Sequence, residues 1–408
     1  MTGGLVVVGA SLAGLRAAEA ARKAGYTGPV TLIGDETHLP YDRPPLSKAY
    51  LDAAQQPDVI FREERHLRHV LGVDLRLGAP ARALDPARRT VHVGDQEISY
   101  DGLVVATGAT ARTLPGADGI AGVHTLRTLD DAIAVRRALD AGARTVVVGA
   151  GFIGSEVASG ARKRGLPVTI VEAAPTPLVR AIGAEMGEAV AGLHHRAGTE
   201  LRCGVAVERL EAEHGRIRRV HLSDGSTLEA DLVVAGIGAD PATGWLLSSG
   251  LECDNGIRCD ATLAADGAAG VYAAGDIARW YNPVFEQPMR IEHWTSAAEQ
   301  GAVAARNALD PAAAMPYSTV PYFWSDWYTH RIQFVGVPGA DEVRIVSGRA
   351  DEDRFVALYR RGDRLTGVLT LNGRAIVMKY RGLLARRASW TDALEFAEQR
   401  ARLAAARG

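Results

Sequence analysis

Leu5-Val6-Val7-Val8-Gly9-Ala10-Ser11-Leu12-Ala13-Gly14 is a valine-rich run ending in a glycine turn, and the stretch behind it, Leu12 to Ala24, reads as a helix. Strand, tight turn and helix in this order make a Rossmann unit. The pattern returns at Thr145-Val146-Val147-Val148-Gly149-Ala150-Gly151-Phe152-Ile153-Gly154, with a second helical stretch through about Arg164. Nucleotide binding needs these residue types at these spacings. Gly9 and Gly149 allow the tight turn. Ser11 and Gly151 stand where backbone amides approach a pyrophosphate; serine is small and can itself donate a hydrogen bond. Gly14 and Gly154 let helix and strand pack closely. Each helix N-terminus adds a partial positive charge for the phosphates.

Each copy also carries an acid at the distance a ribose requires. Asp35 follows Val30-Thr31-Leu32-Ile33-Gly34, 21 residues beyond Gly14; Glu172 follows Val168-Thr169-Ile170-Val171, 18 residues beyond Gly154. A carboxylate accepts hydrogen bonds from ribose hydroxyls and repels a 2′-phosphate, so Glu172 predicts NAD rather than NADP. Two such sites predict two nucleotides in one chain, with FAD plus NAD the common pairing. The plainer alternative is two αβ layers that bind nothing. Smaller signals tie the halves together. Asp101-Gly102-Leu103-Val104-Val105-Ala106-Thr107-Gly108 and Asp231-Leu232-Val233-Val234-Ala235-Gly236-Ile237-Gly238 predict returns of the chain to a sheet edge beside each nucleotide. Gly270-Val271-Tyr272-Ala273-Ala274-Gly275-Asp276 predicts a short strand and then Gly-Asp ahead of a helix.

Composition narrows the classes. The chain has 408 residues, enough for two to four domains at about 100–200 residues each. With 47% hydrophobic and 23% charged residues, wholesale disorder is excluded. A net charge of −2 argues against a global field for nucleic acid or anionic membranes. No apolar run reaches the roughly 18 residues of a membrane span. No basic segment precedes Leu5, so no signal peptide is predicted and a cytoplasmic location fits. Cys203, Cys253 and Cys259 lack CxxC spacing, which predicts neither a disulfide framework nor a metal site. His194-His195 and His214 have no companions at ligand spacing and read as solvated. Trp280 and Tyr281 read as surface or interface aromatics. From about residue 321 the pattern changes. Residues 331–336, 355–359 and 364–371 read as strands, Gly362-Asp363 and Asn372-Gly373 as turns, and Trp390 to Ala405 as an amphipathic helix.

Over essentially its whole length the sequence resembles the FAD-dependent NADH:ferredoxin reductases of bacterial oxygenase systems, with rubredoxin reductases and apoptosis-inducing factor as relatives. Pro40-Tyr41-Asp42-Arg43-Pro44-Pro45-Leu46-Ser47-Lys48 is the most specific match. The resemblance implies that Asp35, Arg43, Lys48, Thr107, Gly108, Arg127 and Asp276 touch FAD, together with Gly9, Ser11, Ala13 and Gly14. It places Gly151-Phe152-Ile153-Gly154-Ser155-Glu156 on the nicotinamide side with Gly149 and Glu172. Gly238, Glu292, His293 and Trp294 fall near the nicotinamide or flavin ring. Pro321-Tyr322-Phe323-Trp324-Ser325-Asp326 matches the start of the family's C-terminal domain, whose tryptophan, here Trp324, lies by the flavin. Trp327 departs from the family pattern, standing where glutamine or another polar residue is frequent.

The implied fold is α/β, with two Rossmann-like nucleotide-binding domains and a C-terminal α+β domain. FAD would take residues 1–112 and 245–320, NAD residues 113–244, and the last domain residues 321–408. The implied activity is transfer of electrons from NADH through FAD to an iron–sulfur ferredoxin, or a rubredoxin, that supplies an oxygenase. Lys48 would sit at the flavin and pair with Glu156. Thiol-dependent relatives carry cysteine after the first ribose acid; here Pro44 to Leu51 has none. An arginine-rich end (Arg344, Arg349, Arg354, Arg360, Arg361, Arg381, Arg386, Arg387) would suit an acidic ferredoxin. An NADH oxidase or an NADH-sensing interaction protein is the alternative.

Overall fold

The computed structural model describes residues 3–52 and 55–405. The chain divides into two compact units. The first comprises Met1–Asp42, Asp58–Thr110 and Ala239–Pro321; the second comprises Arg43–Pro57, Ala111–Gly238 and Tyr322–Gly408.

In the first unit, five parallel strands lie in the order Val271–Ala273, Gly102–Val105, Leu5–Val8, Val30–Ile33 and Val73–Arg76. Leu5–Val8, Val30–Ile33 and Gly102–Val105 are buried at every position, as expected of a parallel sheet covered on both faces. Successive strands run to one side of Leu5–Val8, and the chain then returns on the other side. The strand ends at Gly9 and Ala106 therefore mark the switch point where such sheets bind ligands. The return strand Gly102–Val105 is not at a sheet edge: it pairs with Leu5–Val8 on one side and Val271–Ala273 on the other. Its apolar side chains account for cover on both faces, and its backbone finds a parallel partner on each flank. After Ala273, Gly275–Ile277 forms a single 3₁₀ turn and the strand Ala278–Asn282 follows, so the expected helix is absent there. Trp280 on that strand is fully buried and donates its indole N–H to the Tyr317 carbonyl at 3.3 Å, correcting its reading as a surface aromatic. Tyr281, its neighbour on the opposite strand face, is exposed.

The second unit repeats the design. Its parallel sheet runs Glu200–Cys203, Val168–Glu172, Thr145–Val148, Leu232–Ala235 and Val123–Thr125. Here too the return strand, Leu232–Ala235, is internal rather than at an edge. The final segment forms a five-stranded antiparallel sheet in the order Tyr322–Trp327, His330–Gly336, Arg364–Leu371, Phe355–Arg361 and Glu342–Gly348. Helices Arg374–Ala385 and Trp390–Ala405 complete it. Its inner face shares an apolar core with Ile182, Met186, Val190 and Leu193, into which Trp327, Phe334 and Tyr359 are buried.

Close backbone contact holds the first unit's helices in place. Helix Leu12–Lys23 packs on helix Trp294–Leu309, and a Cβ added at Gly301 would lie 2.1 Å from the Ala13 carbonyl oxygen. Gly301→Ala is therefore expected to lower the thermal unfolding midpoint, at a cost of about 1–3 kcal/mol from overpacking. A calorimetric midpoint equal to wild type would show that the two helices separate freely.

Candidate functional site

The two glycine turns differ in what each glycine is for. In the first, Gly9 has φ +117°, and a Cβ there would stand 2.1 Å from the Ala106 carbonyl oxygen; one at Gly14 would stand 1.8 Å from the Gly9 carbonyl oxygen. In the second, Gly149 has φ +101°, and a Cβ at Gly154 would stand 2.2 Å from the Gly149 carbonyl oxygen. Packing within the protein explains these positions. It does not explain Gly151, where an added Cβ would meet no protein atom nearer than 3.7 Å. A residue kept bare facing open space suits the close approach of a ligand's pyrophosphate. The equivalent first-turn residue, Ser11, caps helix Leu12–Lys23, and Gly151 caps helix Phe152–Lys163. The residues therefore fit two dinucleotides, one per unit.

The first unit gathers most of the residues expected at FAD. Asp35 is exposed just past the strand Val30–Ile33, where it accepts the Glu36 amide at 2.9 Å. Thr107 donates its hydroxyl to the Ala242 carbonyl at 3.2 Å, and the Gly108 carbonyl accepts the Ala242 amide at 2.9 Å. Ala13 is buried against Gly275, whose amide donates to the buried Gln300 side chain at 2.8 Å. The Asp276 carbonyl accepts Arg290 at 3.0 Å, and Arg290 pairs with Glu292 at 2.7 Å. Burial pushes the His293 imidazole down to about 4 against the opposing pull of Asp276. Trp294, first in its helix, donates to Asp42 at 2.8 Å. Glu292, expected on the nicotinamide side, belongs to this first unit.

Arg43, Lys48, Arg127 and Trp324, expected at the flavin, belong to the second unit. There Pro44 and Pro45 open the 3₁₀ turn Pro44–Ser47, and Lys48 follows directly. The Lys48 ammonium lies 2.8 Å from Glu156 Oε1 and 3.3 Å from the Pro44 carbonyl. Glu156 is only 3% exposed, on the fifth residue of helix Phe152–Lys163. Its carboxylate also accepts the Ser47 and Ser325 hydroxyls, so two serines not singled out from sequence complete the cluster. Adjacency is their only sequence signal: Ser47 precedes Lys48, and Ser325 follows Trp324. Arg43 donates to the Arg127 carbonyl at 2.5 Å. Trp324 stacks on Tyr322 with centroids 5.7 Å apart and carries the Arg331 guanidinium 5.6 Å from its ring.

Among the residues expected to serve NAD, Glu172 accepts the Ala150 amide at 2.8 Å and the Ala174 amide at 2.9 Å, which fixes its carboxylate at the end of the glycine turn. Phe152 packs on Phe323 at 4.7 Å, while Ile153 is exposed. Gly238 has φ +108°, and its carbonyl accepts the Arg112 amide at 3.0 Å.

Residues 4–301 match the pyridine nucleotide-disulphide oxidoreductase family, and residues 322–406 match the reductase C-terminal family. The chain belongs to the pyridine nucleotide-disulphide oxidoreductase family. It is similar to rhodocoxin reductase from Rhodococcus erythropolis, 36% identical over 93% of this chain and 89% of that protein. It is also similar to the biphenyl dioxygenase system ferredoxin–NAD(+) reductase component from Paraburkholderia xenovorans, 37% identical over 87% and 86%. Among solved structures, the covalent putidaredoxin reductase–putidaredoxin complex matches with a TM-score of 0.89 at 33% identity, covering 94% of this chain and 93% of that one. The chain is accordingly an oxidoreductase, and FAD and NAD(H), the pair that its two glycine turns implied, are the cofactors of its family.

Despite the family's description, no poised thiol is present. Cys203, Cys253 and Cys259 are free, and burial raises the pKa of each, with Glu172 adding to the effect at Cys203. Among the described residues no group of histidine, cysteine and acid side chains is placed to hold a metal ion. His195 and His214 are exposed, but His194 is fully buried, correcting its reading as solvated. Its ring is hydrogen-bonded to Ser155 Oγ at 3.2 Å and Tyr328 OH at 2.7 Å, and it stacks on Trp327 at 4.7 Å. Helix Ala184–Arg196 turns this position inward and its neighbour outward, a distinction that composition cannot supply.

Burial, with repulsion from His195, lowers the His194 pKa from 6.5 to about 4. The folded state thus keeps the ring neutral where the unfolded chain protonates it. This contribution is complete above pH 6.5 and is lost as pH falls through about 4, amounting to about 3 kcal/mol. Denaturant unfolding measured from pH 7 to 4 should show a shallower acid decline in His194→Gln. Parallel curves would assign the decline to other groups.

Proposed function

We propose that the protein passes electrons from NADH through FAD to a small iron–sulfur ferredoxin that supplies an oxygenase. The observation that carries this reading is the ion pair between half-buried Lys48 and buried Glu156, with Lys48 in a stretch, Pro44 to Leu51, that has no cysteine. Thiol-dependent members of such a family send electrons out through sulfur; here the corresponding polar group is an ammonium held by a carboxylate. Bound FAD would take two electrons from NADH as a hydride and release them singly.

The chain's own residues bind, orient and shield. Gly9, Ser11, Ala13 and Gly14 would hold the flavin nucleotide's phosphates, with Asp35 at its ribose. Arg43, Thr107, Gly108, Arg127, Asp276, His293, Trp294 and Trp324 would complete the flavin contacts. Gly149, Gly151, Phe152, Ile153, Gly154, Glu172, Gly238 and Glu292 would serve NAD. Lys48 would present its charge to the flavin, with Glu156 keeping the ammonium in place. Hydride transfer requires no general acid or base, so neither residue is assigned a proton to deliver. Residues 1–112 and 245–320 would form the flavin domain, 113–244 the nicotinamide domain and 321–408 the third. Exposed Arg344, Arg354, Arg361, Arg386 and Arg387 offer positive charge to an acidic partner, although Arg349 and Arg360 are paired with Asp351 and Glu342. No helix among the described residues is long and apolar enough to cross a membrane, in keeping with a cytoplasmic setting.

The decisive test is anaerobic stopped-flow absorbance of the flavin-loaded protein, mixed first with NADH and then with an oxidised [2Fe–2S] ferredoxin. Rapid bleaching of the flavin band followed by rapid recovery on ferredoxin is expected. Recovery with oxygen alone would favour an oxidase or a sensor. A second expectation concerns the ribose acid. Glu172→Arg should lower the NADH-to-NADPH ratio of kcat/KM at least about tenfold, since it exchanges repulsion of a 2′-phosphate for attraction. An unchanged ratio would remove Glu172 from the ribose.

A further inference from the structure

Trp327 lies fully buried at the end of strand Tyr322–Trp327, and its indole N–H donates to Ser325 Oγ at 2.9 Å. Ser325, also fully buried, has one hydroxyl hydrogen, and that hydrogen goes to Glu156 Oε1. The same oxygen receives the Lys48 ammonium at 2.8 Å. Indole nitrogen is a donor only, whereas a serine hydroxyl both donates and accepts. Because Trp327 occupies the acceptor side of Ser325, the hydroxyl hydrogen is directed toward the carboxylate. The indole itself cannot rotate to another partner. Its ring is stacked on His194 at 4.7 Å and 29°, and Phe152 packs 6.5 Å away.

From this arrangement we infer that Trp327 is a positioning residue for hydride transfer: through Ser325 it fixes the Glu156 oxygen on which Lys48 rests. The inference builds on the role proposed above for Lys48 and Glu156. Removal of the indole N–H leaves the Ser325 hydroxyl free to turn, and Oε1 then holds Lys48 with one restraint fewer. The effect falls on the geometry of the pair rather than on capture of NADH.

Two substitutions separate this role from core packing. Trp327→Phe keeps an aromatic ring against His194 and loses the donor. Trp327→Gln makes a larger packing defect but carries an N–H the same number of bonds from Cβ as the indole nitrogen. In the flavin-loaded protein, Trp327→Phe should slow the limiting rate of anaerobic flavin reduction about fivefold to tenfold, with the NADH Kd within twofold of wild type. Trp327→Gln should melt at a lower temperature than Trp327→Phe and yet reduce faster. The absorbance band of the bound flavin should shift in Trp327→Phe in the same direction as in Glu156→Gln, by a smaller amount. The Ser325→Ala and Trp327→Phe effects should not add, because both act through one hydrogen bond.

A wild-type rate in Trp327→Phe overturns the inference, as does a ranking of rates that follows the melting temperatures. Lys48→Ala and Glu156→Gln distinguish the levels of failure. Wild-type rates in both would overturn the role of the pair, and the inference with it. Slow reduction in both alongside a wild-type rate in Trp327→Phe would overturn the inference alone.

Discussion

A carboxylate that is 3% exposed must be compensated where it lies, and Glu156 organises the second unit around that requirement. Breaking a buried ion pair by removing one partner costs about 3–5 kcal/mol, because the remaining charge stays desolvated. The resulting cluster joins three distant pieces of chain. Ser47 and Lys48 arrive on the Pro-Pro turn, Ser325 on the first strand of the C-terminal sheet, and Glu156 on the helix of the second glycine turn. None of the three can shift without stranding the charge. This ties the C-terminal sheet and the segment Arg43–Pro57 to the second unit's parallel αβ fold more firmly than apolar packing alone would, since a hydrogen bond to a buried charge is directional.

Neutral polar side chains flank Glu156 on its own helix. Ser155 and Ser159 lie on the same helix as Glu156; Ser155 bonds His194, while Ser159 accepts the Tyr328 amide at 3.0 Å. Holding His194 at about 4 keeps a second positive charge away from the carboxylate at ordinary pH. A charged residue in place of His194 would lie beside the buried Trp327 ring.

The fold was legible because glycine turns report backbone constraints directly. Gly9, Gly14, Gly149 and Gly154 are required by carbonyl oxygens within about 2.5 Å of where a Cβ would stand, so their spacing encodes tertiary contact in a short sequence. The Lys48–Glu156 pair was legible only through resemblance, since 107 intervening residues separate its members. Other features depended on what surrounds a residue. An internal strand and an edge strand share the apolar pattern of Gly102–Val105, and neighbours alone decide between them. Trp280 and His194 look amphipathic in isolation, but each finds a buried partner supplied by a remote segment, Tyr317 for one and Tyr328 for the other. Gly275-Asp276 begins like a helix cap, and the chain instead continues into a strand that pairs with Ile257–Cys259.

The absence of a poised thiol bears on how such a site works. A redox cysteine needs a lowered pKa and access, and this chain offers three thiols whose pKa values move the other way. What the second unit does provide is a fixed positive charge with little freedom of position. An ammonium held by a carboxylate at 2.8 Å, with that carboxylate clamped by two serines, exchanges no electrons and need exchange no protons. In the role proposed for it, its contribution would be a preorganised field, which costs no reorganisation when charge develops on a neighbouring group. The same economy explains why the cluster is built from serine hydroxyls and one indole: each restrains orientation without adding charge. Under the proposed role, precision in the placement of one oxygen would stand where thiol-dependent members of the family use sulfur.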